Sequence, residues 1–177
     1  METKILPTNL EIYAPEEHIP NIERSVKTIK EKCRVITHSV PYNRYTKLMT
    51  IGLIENANHW LNAFPTSSRI VGKISPAQIV KGTPQPDYNH QRIPFGSHAM
   101  VYTKTTNNMK ARSMLVIALT LSNQSGGYYF ISLYSGKKLH SYERDELPID
   151  RDIIDRVEQL ASAEIQPKLV DGLPLFK

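Results

Sequence analysis

Apolar residues recur at intervals of three and four between positions 20 and 40 of the chain. This spacing places them along one side of an α-helix. Pro20 suits the first helical position, where its missing N–H costs nothing, and Pro41 disfavours helical backbone in the residue before it. The pattern therefore predicts a helix over residues 20–39, with a core-facing stripe formed by Ile22, Val26, Ile29, Cys33, Ile36 and Val40.

Charged residues occupy the face next to this stripe. Glu23 comes first, and Lys27, Lys30 and Arg34 follow it at helical spacing. A Glu four residues before a Lys is an ordinary exposed pair that contributes about 0.2–0.5 kcal/mol, and an acid near a helix start interacts favourably with the helix dipole. The spacing alone leaves two interpretations open: a solvated helix surface, or a basic site with a single acid.

Two more helices follow. One is predicted over residues 46–63 and ends before Pro65. A short one begins after Ser75, a capping residue that Pro76 follows, and ends at Gly82. Three prolines and several polar residues then indicate a linker over residues 83–94.

The hydrophobic period changes to two after this linker. Residues 98–103, 114–122, 128–134 and 139–142 are predicted to be strands because they are rich in Val, Ile, Leu and Tyr. Several short strands in so few residues indicate a small barrel, in which closure hides the strand edges. A last helix is predicted over residues 150–164, so the fold class is α+β.

Length and composition limit the kinds of domain and site that the chain can form. The chain has 177 residues, enough for one domain or two small ones. Its single cysteine, Cys33, excludes an internal disulfide and a Cys-rich zinc site. No apolar run approaches the roughly 18 residues that a membrane-spanning helix needs, and the first residues lack the shape of a signal peptide. We therefore expect an intracellular protein, nuclear or cytoplasmic, with no membrane partner.

The net charge of +5 is unevenly distributed. Residues 18–50 hold seven Lys or Arg and two Glu, and residues 101–140 hold five Lys or Arg and no acid, whereas both ends of the chain are acidic. Two basic blocks fit contacts with nucleic-acid phosphates, although a solvated basic surface explains them equally well. The candidate DNA-binding residues are Lys27, Lys30, Arg34, Lys137 and Lys138.

The order of these segments resembles a known family. The helix that begins at Pro20, Trp60-Leu61-Asn62-Ala63-Phe64-Pro65, the helix after Ser75, Pro94-Phe95-Gly96, Gly126-Gly127-Tyr128-Tyr129-Phe130 and Ser135-Gly136-Lys137-Lys138 follow one another along most of the chain. This series resembles the C-terminal part of the integrase of copia-type LTR retrotransposons, truncated at the N-terminus.

The resemblance implies a domain organisation. Residues 1–82 would be a helical remnant of an RNase H-like catalytic core, and residues 83–94 a linker. Residues 95–147 would form a small SH3-like β-barrel, and residues 148–177 a terminal helix and tail. Because the core's own strands would be missing, we expect the apolar faces of the first two helices to be left exposed to water.

The resemblance also implies a site. Glu23 would be the third acid of an Asp-Asp-Glu triad that holds Mg²⁺ or Mn²⁺, and the cations after it would contact DNA. No Asp precedes Glu23 in the chain. One glutamate cannot hold the two cations, about 3.5–4 Å apart, that strand transfer needs. We therefore expect an incomplete metal site that does not bind the ion stably, and a chain that is not an enzyme by itself.

The sequence is consistent with two functions. The first is non-specific DNA binding, related to DNA integration. The second is a protein–protein interaction module that contacts other integrase subunits. His18, just before the first helix, is either a ligand at the metal site or simply solvated. Of Tyr128 and Tyr129, adjacent on one strand, one should face the core, and the other either packs in the barrel or stacks on a base.

Overall fold

The computed structural model describes residues 20–64, 74–82, 93–102, 109, 111–122 and 126–169. These residues form an α+β fold, as predicted, and the predicted helix and strand boundaries agree with the observed ones to within about two residues. The elements are α1 (Pro20–His38), α2 (Lys47–Ala63), α3 (Pro76–Lys81), β1 (His98–Tyr102), β2 (Ser113–Leu121), β3 (Tyr128–Ser132), β4 (Lys138–Ser141), β5 (Arg144–Glu146) and α4 (Arg151–Ala163).

The five strands form one antiparallel sheet in the order β4-β3-β2-β1-β5. Consecutive strands β1 to β4 are neighbours, and β5 returns to pair with β1. Among the described residues, the sheet is open between β4 and β5, so the expected closed barrel does not form there. These edge strands have four and three residues, which leaves little length for another ladder.

One face of the sheet packs against α2. Met49, Leu53 and Ala57 on α2 share a buried cluster with Ile117 and Leu119 on β2. Gly52 allows this close approach, because a Cβ at that position would lie 3.0 Å from the Leu119 Cβ. The expectation that the first two helices would lack a sheet to pack on is therefore wrong for α2, since β2 provides one.

The other face of the sheet has its own buried cluster. A bulge between Ala118 and Thr120 changes which side chains of β2 face each way. Burial on both faces explains why β2 is a nearly continuous apolar run rather than a strict alternation. The second cluster contains Ile93, Ala99, Val101, Val116, Ala118, Tyr128 and Phe130.

The turn between α1 and α2 is attached to the start of β1. The Tyr42 hydroxyl donates to the Gly96 carbonyl at 2.8 Å. Gly96 has a φ of +83°, and a Cβ there would lie 2.7 Å from the Val40 Cγ1. Glycine is required at this position, because a side chain would be strained by the backbone and would collide with Val40.

Helix α4 contacts the same turn from the C-terminal side. The Asn43 N–H donates to the Glu158 carboxylate at 3.0 Å, and the Lys47 N–H donates to the Glu164 carboxylate at 2.6 Å. The second contact places a negative charge at the N-terminus of α2, where the helix dipole favours it. In the described part of the chain, no helix is both long and apolar enough to cross a membrane.

Candidate nucleic-acid interface

The first half of α1 extends away from the packed core. Residues 22–28 are exposed, and Ile22 and Val26 expose 56% and 43% of their surface. Burial begins further along the helix, where Ile29 and Ile36 pack against the core and Cys33 is fully enclosed. The predicted core-facing stripe is therefore confirmed from Ile29 onward and wrong at its first two positions, because the core cluster reaches only the later turns of α1.

The three predicted cations of α1 share one helical face, as their spacing requires. Lys27 and Arg34 are exposed, and Lys30 is half-buried. The face runs along α1 from its exposed first half toward the packed second half. It therefore presents positive charge on a helix that protrudes from the body of the protein, a shape that suits contact with a phosphate backbone.

Glu23 lies in the exposed first turn of α1, where an acid interacts favourably with the helix dipole. Within the residues that the structure describes, no three His, Cys, Asp or Glu side chains form a group that could hold a metal ion. The structure thus brings no described acid or histidine together with Glu23 in such a group. His18, the other predicted ligand, lies outside the described residues.

The second pair of predicted cations lies in the hairpin between β3 and β4. Lys137 and Lys138 are both exposed, and the Lys138 Nζ lies 4.1 Å from the centroid of the Tyr129 ring, a cation–π contact. Gly136, with a φ of +67°, forms the turn and packs near Leu160 of α4. The hairpin is thus a defined structure in which one of the two lysines covers an aromatic ring.

Two neighbouring tyrosines face opposite sides of the sheet, as predicted. Tyr128 is 3% exposed and belongs to the second cluster, with the Arg144 guanidinium 4.0 Å from its ring centroid. Burial raises the pKa of the Tyr128 hydroxyl, and Arg144 offsets part of that rise. Tyr129, on the other face, is half-buried against the first cluster and contacts His140 at a centroid distance of 5.3 Å.

Sequence reasoning missed two aromatic residues at this edge. His140 and Tyr142 contact each other edge-to-face at 4.9 Å, and both are exposed. The available signal was the alternation of Lys138 and His140, which places both on one face of β4, with Tyr142 two residues further on and just past the strand. The two predicted basic groups remain on different elements, because α1 packs on α2 whereas the hairpin packs near α4.

Comparisons of the chain with protein-family models, with curated proteins and with solved structures found no match. Its own residues therefore define the chemistry of the interface. They provide a cationic face on α1 and, on the β3–β4 hairpin, cations beside aromatic rings.

Proposed function

We propose that this chain binds DNA without sequence preference, as the C-terminal part of a copia-type integrase. The observation that carries the proposal is the alignment of Lys27, Lys30 and Arg34 on one face of a protruding helix. Lysine and arginine that neutralise phosphates release condensed counterions, and this release provides most of the free energy of non-specific binding. Such contacts hold the duplex without reading its bases.

The strand order supports the SH3-like part of this proposal. Small up-and-down β-barrels are built from short antiparallel strands that pair in chain order. Strands β1 to β4 pair in this way and β5 returns to pair with β1, although the described sheet is open. In the same proposal, α1 and α2 correspond to helices from the end of an RNase H-like core.

The proposal gives Glu23 a limited role. As the third acid of the integrase triad it would supply carboxylate oxygens to Mg²⁺ or Mn²⁺. A two-metal transfer needs oxygen ligands for two cations about 3.5–4 Å apart. A single carboxylate does not supply enough of them. We therefore propose that the chain alone binds DNA but does not transfer strands.

Fluorescence anisotropy with a labelled duplex tests this function. The variant Lys27→Ala/Lys30→Ala/Arg34→Ala should bind the duplex much more weakly than the wild type, since it loses the phosphate contacts. A matched control removes the same number of charges from Lys32, which faces away from these residues on α1, and from the exposed Arg151 and Lys168. Equal losses in both variants would show a general effect of net charge and would overturn the proposed interface.

A second function is favoured by the exposed apolar residues of α1. Ile22 and Val26 leave an apolar surface on the protruding half of the helix, and such a surface is typical of contacts with other subunits. Sedimentation velocity separates the two functions. Charge reversal at Lys27, Lys30 and Arg34 should abolish duplex binding and leave any self-association in place. Ile22→Ser/Val26→Ser should instead weaken self-association more than duplex binding.

A further inference from the structure

A row of side chains runs along one face of the edge strand β4 and continues just past its end. Lys138 and His140 alternate along β4 and so point to the same side. Tyr129 is the cross-strand partner of His140, and Tyr142, which directly follows the strand, has its ring against that of His140. The Tyr129 and His140 rings are 5.3 Å apart, and the His140 and Tyr142 rings 4.9 Å apart. We call the three rings, those of Tyr129, His140 and Tyr142, the aromatic strip.

The neighbouring turn holds the strip in place. A nitrogen of the His140 ring, Nε2, lies 2.7 Å from the Gly126 carbonyl, so it donates a hydrogen bond there. Gly127 has a φ of +70°, and a Cβ at that position would lie 3.1 Å from the Tyr142 ring and 2.8 Å from the Ser141 carbonyl. Two adjacent glycines therefore allow the turn to approach the strip closely.

The strip combines accessible rings with positive charge. Tyr142 exposes 60% of its surface and His140 is also exposed. Tyr129 is half-buried and packs against the first buried cluster, on the side of the strip nearest the core. Lys137 and Lys138 lie at one end of the row. Aromatic rings beside cations on a sheet edge are the arrangement by which proteins bind single-stranded nucleic acids, because every unpaired base offers a π-face and every nucleotide a phosphate.

We propose that the aromatic strip stacks unpaired bases of a single-stranded nucleic acid, with Lys137 and Lys138 at its phosphates. This inference rests on the proposed nucleic-acid binding and names a second class of substrate for it. The bases of an intact duplex are already stacked on one another and offer no free π-face. The strip therefore favours a single strand, whereas the cations of α1 act on phosphates of either form.

The test measures anisotropy with labelled oligothymidylate and with a duplex of the same length, at one salt concentration. Tyr142→Ala should weaken binding to the single strand by about 5- to 150-fold, the range that loss of one stacked base gives, and should leave duplex binding unchanged. Tyr142→Phe keeps the ring and should bind as the wild type does. Tyr134→Ala removes a tyrosine that is 86% exposed and outside the strip, and should have no effect.

A measurement on the wild-type chain guards against variants that fail to fold. A single strand containing 5-iodouracil should form photocrosslinks to Tyr129, His140 or Tyr142, located by peptide mass spectrometry. Crosslinks elsewhere, or equal losses of single-strand and duplex binding in Tyr142→Ala, would overturn the inference and leave the proposed duplex binding standing. Single-strand binding that depends on Tyr142, together with no duplex binding, would support the strip and contradict the proposed role of α1.

Discussion

The Arg156 guanidinium joins α4 to the end of β3 by donating from Nε to the Leu133 carbonyl at 2.8 Å. A second nitrogen of the same group, Nη2, donates to the Tyr134 carbonyl at 3.0 Å. The planar guanidinium thus satisfies two consecutive carbonyls at the start of the β3–β4 turn with a rigid fork of donors that lysine lacks. The hairpin that carries Lys137 and Lys138 is therefore held by a helix some twenty residues further along the chain.

Replacing Arg156 should destabilise the fold. Arg156→Ala leaves the partly buried Leu133 carbonyl without its charged donor, and we expect the free energy of unfolding to fall by about 1.5–3 kcal/mol in urea titrations. Arg151→Ala is the matched control, because it removes an arginine from the same helix that forms only an exposed ion pair. The Arg151 Nε lies 3.9 Å from the Asp155 Oδ1. That pair should contribute less than about 1 kcal/mol. Equal effects of the two substitutions would contradict the assigned role of Arg156.

Replacing Gly96 by alanine should lower stability for two reasons, backbone strain and a collision. The same replacement at Gly82 measures the first of them alone. Gly96→Ala combines a positive φ with a collision against Val40, and we expect the free energy of unfolding to fall by about 2–4 kcal/mol. Gly82 also has a positive φ, +62°, but a Cβ there would have no atom within 4 Å. Gly82→Ala should therefore cost about 1 kcal/mol from backbone strain alone. Thermal unfolding of both variants measures the difference, and similar losses would show that the contact with Val40 is unimportant.

Buried tyrosines should make the protein less stable in alkali. Desolvation raises the pKa of the Tyr45 hydroxyl to about 12, and burial also raises that of Tyr42 well above its usual value. The Tyr45 hydroxyl has no hydrogen-bond partner among the described residues. The nearby Thr37 side chain lowers that pKa by less than burial raises it. The folded state therefore favours the protonated phenols.

The protonated hydroxyls of Tyr42 and Tyr45 therefore stabilise the folded state at neutral pH. The stabilisation is fully present below about pH 10, the pKa of an unfolded tyrosine, and is lost as the pH rises toward the folded-state value. Each group should lower the free energy of unfolding by up to about 1.4 kcal/mol per pH unit in this window. Tyr45→Phe should reduce the slope while changing stability little at neutral pH. A slope that is the same in Tyr45→Phe would contradict the assignment.

The purified chain should show no 3′-processing or strand transfer with Mg²⁺ or Mn²⁺. The reason is that Glu23 provides a single carboxylate for a reaction that needs two bound cations. Gel assays with labelled DNA ends measure both steps. Activity that disappears in Glu23→Gln would show that other acids complete the site and would contradict this expectation.

The features that sequence predicted are those that depend on local interactions. Ser75 and Gln78 form a reciprocal cap at the start of α3, with contacts of 3.3 Å and 2.8 Å within four residues, and the Ser-Pro pair with its following glutamine signals it. The apolar period of α1 likewise depends only on helix geometry. Such patterns fix where elements begin and end.

Features that depend on distant partners could not be predicted in the same way. Ile22 and Cys33 belong to one stripe, yet only Cys33 is buried, because burial depends on where α2 and the sheet end. Strand β5, formed by three charged residues, has no apolar alternation and exists because its backbone pairs with β1. The contact of Asn43 with Glu158 joins residues 115 positions apart. The contact of Tyr129 with His140 in the aromatic strip could not be predicted, because it depends on the register between β3 and β4.

The salt dependence of duplex binding tests the central claim, DNA binding through the cationic face of α1, most directly. Each neutralised phosphate adds about −0.9 to the slope of log K against log salt concentration, so Lys27, Lys30 and Arg34 together contribute at most about −2.7. We expect a steep negative slope for the wild type, and a slope shallower by up to that amount for the triple alanine variant with an unchanged melting temperature. An affinity that does not change between low and physiological salt would contradict the account and favour the protein–protein interaction module.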